Sequence, residues 1–416
     1  MPRSKAPQPG SSSRSDVLIV GAGPAGSAAA IGLAQAGHRV VIVERERFPR
    51  AKPCGELIIP RGVAALAELG VDPPGHRIAH VRLTHGKRST STVWPDGAHA
   101  VVVPREVLDA ALVDRAREFG AELLDGHTAV APIVNRGFVR GARVTRPDGT
   151  TVDIEATYTL VADGANSRFG RALGTFRQPD WTHATVHRAR YRSALHDAAE
   201  VELLVDLRDP ACTPITGYAF MFPRGDGTVN VGLVAMSTSP SYRVLNPPRL
   251  LDAVVAEHGA AWHLDPQPVE AGAGGRLPLG ASVGPAAGPT YLVVGDAAGA
   301  GNPLSGAGID QAIDTGRLAG TVLATALESG SASELQRYPR LLDERYGTYF
   351  QVGRLTSRLI GRPSVNVRAT RLVASRRPAA DALLRIAANQ LRPGGWGLAE
   401  AAYRTGRTIA LVAPNA

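Results

Sequence analysis

The chain is poor in the residues that would tie it to metals, oxidising compartments or bilayer cores. Its 416 residues include two cysteines, Cys54 and Cys212. Two thiols cannot build a disulfide framework, so a reducing, cytoplasmic setting is expected. Neither lies in a C-x-x-C pair, and the eleven histidines show no spacing such as H-E-x-x-H, so no metal site is expected. His183 and His187 are four apart but fall on an expected strand, where they share a face without forming a site. No run of about 18 apolar residues occurs, which excludes a membrane-spanning helix. Residues 1–15 are Pro, Ser, Lys and Arg without an apolar core, and read as a disordered arm, not a signal peptide. No G-x-S-x-G surrounds Ser167, which removes the nucleophile-elbow reading.

The charge is unevenly placed. The net charge is +9, yet residues 337–416 hold 14 Arg and four acids, a net of +10. The rest of the chain holds 32 basic and 33 acidic residues, a net of −1. A basic helical segment suits an anionic membrane surface, an acidic partner or a phosphorylated substrate, or simply a solvated helical face. Nucleic acid is not expected, because no recognised binding module accompanies it.

What is present starts with Asp16-Val-Leu-Ile-Val-Gly-Ala-Gly-Pro-Ala-Gly26. Val17 to Val20 reads as a buried strand, and Gly21, Gly23 and Gly26 form G-x-G-x-x-G at the mouth of an Ala-rich helix. Gly21 permits the tight turn, Gly23 lets backbone approach a pyrophosphate, and Gly26 lets helix and strand pack closely. Phosphates would sit on the helix N-terminus. Val40 to Val43 reads as a second strand, ending at Glu44, where an acid can reach ribose hydroxyls.

Thr157 to Ala162 and Tyr291 to Val294 are further buried strands, ending at Asp163-Gly164 and Gly295-Asp296. Ligands of doubly wound sheets gather at the carboxyl ends of strands, so the three loops are expected to converge. An acid ending a buried strand needs a partner, and the ribityl hydroxyls of a flavin would supply one for Asp296. The small-residue stretch Asn302-Pro-Leu-Ser-Gly-Ala-Gly308 would bring the N-terminus of a helix from Ile309 to Leu327 against the N1–C2=O edge of the flavin. Helices are also expected at Pro60–Leu69, Arg105–Phe119 and Pro247–His258. His80 to Val103 reads as a β-ribbon turning at Trp94–Gly97. Four consecutive strands between Ala184 and Ala235 predict an antiparallel sheet, followed by a Gly- and Pro-rich connection through Gly288.

These pieces resemble the FAD-dependent geranylgeranyl reductase family within the p-hydroxybenzoate hydroxylase-like flavoproteins, and especially its bacterial menaquinone (polyprenyl) reductase branch. The matching segments include Lys52-Pro-Cys-Gly-Glu56, Arg105 with Leu108-Asp109, Ala162–Ser167, Gly217-Tyr-Ala-Phe-Met-Phe-Pro-Arg-Gly225 and Val294–Ala298 with Asn302–Gly308. The resemblance implies an α/β (α+β overall) fold. A discontinuous Rossmann-type FAD-binding domain would use residues 16–80, 104–175 and 285–335. An antiparallel-sheet substrate domain would use 81–103 and 176–284, and a basic helical segment 336–416. It implies that Ala25, Gly26 and Glu44 hold the AMP half of FAD, with Cys54 and Gly55 beside the cofactor. Arg105 would reach the pyrophosphate region, Val130 the adenine by its backbone, and Asp296, Gly308 and Ile309 the ribityl chain and ring. Tyr218, Phe220 and Phe222 would line a substrate tunnel. Phe220 stands where the family commonly has Trp, so the wall stays aromatic while its shape changes.

Saturating an isolated isoprenoid double bond needs a hydride from reduced flavin N5, a proton on the other carbon, an apolar slot and exclusion of water. Cys54, on a Gly/Pro loop, is the first candidate for the proton donor and Glu56 the second; Cys212, flanked by prolines, reads as structural. The expected activity is reduction of a prenyl lipid of menaquinone or geranylgeranyl type, at the inner face of the membrane. The reductant would be NAD(P)H or an electron-transfer protein, since no second complete G-x-G-x-x-G unit occurs. The rival is a flavin monooxygenase or halogenase on the same scaffold, although no Trp-x-Trp-x-Ile-Pro stretch appears.

Overall fold

A computed structural model describes residues 14–392 and 394–412. The arm expected over residues 1–15 lies outside the described residues up to residue 13, and Ser15 already opens the first strand.

That strand, Ser15–Val20, is the centre of a parallel layer. Val40–Glu44 and Glu122–Asp125 lie on one side of it, and Thr151–Val161 and Tyr291–Val293 on the other. Valine, leucine and isoleucine runs form these strands because both faces are covered, so no alternation with polar residues is required. The first half of Thr151–Val161 also pairs antiparallel with Phe138–Thr145, which pairs in turn with Thr128–Asn135. Helices Pro24–Gln35, Arg105–Glu118 and Ile309–Ser329 share one apolar core with the parallel layer. The first and last of these touch backbone to backbone: a Cβ on Gly316 would lie 2.1 Å from the Ala25 carbonyl oxygen.

A second sheet has the order Leu264–Pro278, His183–Ser193, Thr228–Met236, Gly217–Pro223, Glu200–Leu204, His80–His85, Arg88–Val93. All its pairs are antiparallel except Glu200–Leu204 with His80–His85. Two sequence expectations fail here. The connection expected through Gly288 contains a fifteen-residue edge strand, Leu264–Pro278, whose ladder runs along His183–Ser193. Gly272, Gly274 and Gly275 lower its strand propensity, but a long partner supplies the backbone hydrogen bonds anyway. The ribbon expected to turn at Trp94–Gly97 turns instead at Gly86-Lys87, and Pro95–Gly97 is a 3-10 turn. Beyond that turn, Ala100–Val102 joins Leu57–Ile58 and His76–Ile78 in a small sheet between the two large ones.

One face of the second sheet packs on helix Pro247–His258. The other faces the parallel layer and is also covered by the helix Arg377–Ala387, through Ala380 and Leu384. The C-terminal helices are therefore built into the second sheet: Thr92 Oγ1 donates to the Asp381 carboxylate, and Arg385 and Arg392 both pair with Asp96.

Candidate active site

The glycine loop is shaped by contact with its neighbours. Gly21 has φ +105°, and a Cβ there would lie 2.4 Å from the Ala162 carbonyl oxygen, at the turn into Asp163. A Cβ on Gly26 would lie 2.0 Å from the Gly21 oxygen, and one on Gly295 2.9 Å from the Ala25 Cβ. The three strand ends thus meet at one place. Helix Pro24–Gln35 begins at Gly23 with no side-chain cap, so its first N–H groups are free for a ligand. Glu44 closes the far side of this loop: its Oε2 accepts from Ala22 N at 2.9 Å and its Oε1 from Glu46 N at 3.1 Å.

The loop after Glu44 folds back over the glycines and carries the cationic groups. Arg50 contacts both Asp109, at 3.0 Å, and Glu44, at 3.6 Å, and its Nη2 lies 3.7 Å from where a Cβ on Gly23 would be. Arg105 makes a bidentate pair with Asp109, at 2.9 and 2.8 Å, and its guanidinium also reaches the Cys54 thiol. Lys52 Nζ stands 3.8 Å from Asp296 Oδ2 and 3.6 Å from where a Cβ on Gly164 would be. Burial first, and then the Arg105 charge, hold the Lys52 ammonium below the usual lysine range.

Asp296 lies in the short turn Gly295–Ala298, and its Oδ1 is 3.4 Å from where a Cβ on Gly308 would be. Gly308 is the N-cap of helix Ile309–Ser329, which again has no side-chain cap. Asn302, fully buried, shapes the loop before it: Oδ1 accepts from Leu304 N and Ser305 N, and Nδ2 donates to Tyr349 Oη and the Ala387 carbonyl. Asp163 is placed differently from Asp296. Its carboxylate accepts from Ser167 Oγ at 2.6 Å and Phe169 N at 2.9 Å, ordering the start of the short helix Arg168–Ala172. Val130 is the extra residue of a β-bulge, between the pairs Ala129–Val144 and Ala131–Arg143, and is half exposed. A bulge leaves backbone groups outside the ladder.

The second sheet supplies the opposite wall. Tyr218, Phe220 and Phe222 alternate onto one face of Gly217–Pro223. Phe220 and Phe222 stack with centroids 4.3 Å apart, and Tyr218 donates to the Ser305 carbonyl at 2.6 Å. A Cβ on Gly55 would lie 3.1 Å from Phe222 and 3.4 Å from Phe220, so the Cys54 loop rests on the aromatic wall. Gly232 leaves the space that the Phe220 ring fills, since a Cβ there would lie 2.3 Å from the ring.

Beneath that loop is a buried set of charges that sequence reasoning missed. Glu56 has φ +67° and no exposed surface. Its Oε2 accepts from Arg224 Nη1 and from Asn230 Nδ2, and Arg190 lies 3.6 Å from its Oε1. Asn230 Nδ2 also donates to the Cys54 carbonyl at 2.9 Å, and Glu56 N to the Cys54 sulfur at 3.3 Å. Burial pushes the Glu56 carboxyl up, against the pull of Arg224, Arg190 and Arg188. Arg190 and Asn230 sit on strands distant in sequence, and Arg224 closes the Gly217–Gly225 segment, where nothing marks it as the partner of a buried acid. Lys52 carried a signal, being one of only three lysines and lying inside the Lys-Pro-Cys-Gly segment.

Two uncapped helix N-termini, a glycine cradle, cations over the cradle and an acid at the third strand end fit a dinucleotide with a flavin ring. The comparisons with known proteins agree. Residues 14–341 match the family model for an FAD-binding domain. The chain is 36% identical over 363 residues to a menaquinone reductase of Mycolicibacterium smegmatis, covering 84% of this chain and 85% of that protein. It is 33% identical over 361 residues to digeranylgeranylglycerophospholipid reductase 1 of Methanopyrus kandleri, covering 83% and 90%. Among solved structures, a geranylgeranyl bacteriochlorophyll reductase-like protein of Thermoplasma acidophilum superposes with TM-score 0.76 at 23% identity, covering 87% of this chain and 92% of that one. A flavin-dependent brominase shares the fold at TM-score 0.73 and 18% identity, covering 97% and 100%. The chain belongs to the geranylgeranyl reductase family of FAD-dependent oxidoreductases, with FAD as its cofactor.

Proposed function

We propose that the protein saturates isoprenoid C=C bonds of a prenyl lipid, of menaquinone or geranylgeranyl type. The observation that carries this reading is the stacked Phe220–Phe222 wall lying directly on the Cys54–Gly55 turn, which itself borders the cofactor cradle. An aromatic wall beside one thiol, with Glu56 held in ion pairs beneath it, suits an unactivated alkene better than a polar aromatic. Reduced FAD, when bound, supplies the hydride. Gly21, Gly23, Ala25, Gly26 and Glu44 would hold its nucleotide half, and Arg50 and Arg105 would meet the pyrophosphate. The Val130 bulge offers backbone to the adenine. The backbone at Asp163-Gly164, Lys52, Asp296, Gly308 and Ile309 surround the ribityl chain and ring. Tyr218, Phe220 and Phe222 hold the prenyl chain and exclude water.

Cys54 Sγ delivers the proton. The sulfur accepts from the Glu56 N–H at 3.3 Å, which fixes where the thiol points. Glu56, whose carboxylate is occupied by Arg224 and Asn230, anchors the Cys54 loop in this scheme. The proposal assigns the cofactor to residues 16–80, 104–175 and 285–335 and the lipid to 81–103 and 176–284. It also takes NAD(P)H or an electron-transfer protein as reductant and places the enzyme peripherally at an anionic membrane. No helix among the described residues is long and apolar enough to cross a bilayer.

The test is anaerobic turnover of dithionite-reduced holoenzyme with menaquinone and with geranylgeranyl lipids, read by mass spectrometry. A gain of two hydrogens per bond is expected. Failure with every prenyl lipid, together with O₂-dependent hydroxylation or halogenation of another substrate, would replace this reading with the monooxygenase one.

A further inference from the structure

The tail's fourteen arginines are held in different ways, Arg354 and Arg404 for example lying against aromatic rings and backbone carbonyls. Arg337, Arg340, Arg345, Arg385 and Arg392 each pair with an acid. Residues 362–377 are different. They hold five arginines, Arg362, Arg368, Arg371, Arg376 and Arg377, and no acid. All five are exposed, and none has an ion-pair partner among the described residues.

The fold adds to this group from another part of the chain. The tip of the hairpin formed by His80–His85 and Arg88–Val93 carries Lys87 and Arg88, both exposed, and it docks on helix Pro363–Val373. His85 Nδ1 lies 3.0 Å from Thr370 Oγ1, and Arg88 donates to Ser375 Oγ at 3.5 Å. Arg371, Arg88 and Arg208 all act electrostatically on His85, with Asp206 the opposing acid. The same helix exposes apolar side chains beside its cations. Val365 is 37% and Leu372 53% exposed, and with Arg368 they form an i, i+3, i+7 stripe.

We propose that this surface, built from Lys87 and Arg88 of the hairpin and helix Pro363–Val373 with Arg376 and Arg377, seats the protein on an anionic lipid bilayer. The inference rests on the prenyl-lipid reading and names the face that meets the lipid phase. Charge complementarity selects the occupant: clustered cations interspersed with exposed apolar side chains match phosphate headgroups over acyl chains. Position supports it. The helix that follows, Arg377–Ala387, packs Ala380 and Leu384 into the apolar cluster that contains Phe220 and Phe222. A lipid extracted at this surface is thus one helix away from the aromatic wall.

Co-sedimentation of the full-length holoenzyme with vesicles tests the proposal, comparing phosphatidylcholine alone with phosphatidylcholine containing phosphatidylglycerol. Binding is expected only to the anionic vesicles, and is expected to fall at high salt. The double substitution Arg368→Glu with Arg371→Glu should weaken partitioning on the order of 100-fold. Lys87→Glu with Arg88→Glu, on a different element, should do the same. Arg404→Glu with Arg407→Glu makes an equal charge change at the other end of the tail and should leave partitioning near wild type. Equal binding to both vesicle types overturns the proposal. So does equal weakening by all three pairs, or wild-type binding by the first two. The variants are also assayed for reduction of a detergent-dispersed prenyl lipid. Absence of reduction by the wild type, with vesicle binding intact, would defeat the prenyl-reductase reading and leave the docking face standing.

Discussion

Two loops leave adjacent strands and border the same cofactor site, yet they are held by opposite means. The loop after Ser15–Val20 is fixed by backbone contact: Gly21 against Ala162, Gly26 against Gly21. The loop after Val40–Glu44 is fixed by buried charge: Arg50 between Glu44 and Asp109, Arg105 on Asp109, Glu56 on Arg224. Steric fixation tolerates no side chain but works in any dielectric. Electrostatic fixation tolerates side chains but costs several kcal/mol if one partner is left alone. The first suits a cofactor that must always sit in one place. The second suits a loop that carries the Cys54 thiol, because its position can be tuned by the charges beneath it.

The largest effect should come from breaking the steric loop. Gly26→Val places a side chain 2.0 Å from the Gly21 oxygen at its Cβ alone, so the helix must leave the strand. We expect loss of bound FAD and a collapse of soluble yield, read from flavin absorbance and thermal melting. A Gly26→Val protein that purified yellow and stoichiometric in FAD would show that packing here is looser than the structure has it.

Breaking the electrostatic loop should be severe but graded. Arg224→Ala leaves Glu56 fully buried without its main partner, a loss of about 3–5 kcal/mol in denaturant unfolding. Adding Glu56→Gln to that background should recover part of the loss, because the stranded charge is removed. No recovery would mean that Arg224 contributes through packing alone.

The same contrast explains what the sequence reveals of the site. Only glycine satisfies the contacts at Gly21 and Gly26, so residue type alone marks that loop, and the strand–glycine–helix register completes the reading. Asp296 stood out as an acid ending an apolar strand, and the structure sets Lys52 beside it. Tyr218, Phe220 and Phe222 came from the family resemblance, and the strand puts all three on one face. The charges under Cys54 were not legible: Arg190 and Asn230 sit on strands where an inward polar residue looks like any outward one, Arg224 lies just past the end of Gly217–Pro223, and only the folded sheet brings them to Glu56. The edge strand Leu264–Pro278 was hidden for a related reason, since its residues are chosen for a ladder with His183–Ser193, not for propensity. Nor could composition tell that the basic tail packs into the second sheet through Ala380, Asp381 and Leu384.

Cys54→Ser separates the two kinds of loop in function. FAD content and stability should stay near wild type, because the Asn230 bond to the residue 54 carbonyl and the glycine contacts persist. Turnover should fall at least 100-fold, about 2.7 kcal/mol of barrier, if the thiol delivers the proton. The solvent deuterium isotope effect should rise as a weaker acid takes over. A fall in FAD content that matches the fall in rate would make Cys54 a cofactor contact and not a proton donor.

The finest difference is between the two helix entrances that face the cofactor. Helix Pro24–Gln35 has no acid in its first turn, whereas Ile309–Ser329 has Asp310, buried, with neither carboxylate oxygen receiving a hydrogen bond among the described residues. Burial pushes the Asp310 carboxyl up to about 6, against the pull of Arg61, whose Nε is 4.0 Å away. A carboxyl raised in the folded state binds its proton there more tightly than in the unfolded chain. Its favourable contribution is therefore complete below about pH 4 and is lost as pH rises to about 6. Asp310→Asn keeps the shape without the charge, while Arg61 retains the Asn389 carbonyl and Tyr346. The variant should melt higher than wild type at pH 7, by up to about 2 kcal/mol of stability, and the gap should close towards pH 4. A gap that did not change between pH 4 and pH 7 would show that the buried carboxylate is satisfied in solution and that the two entrances are electrostatically alike.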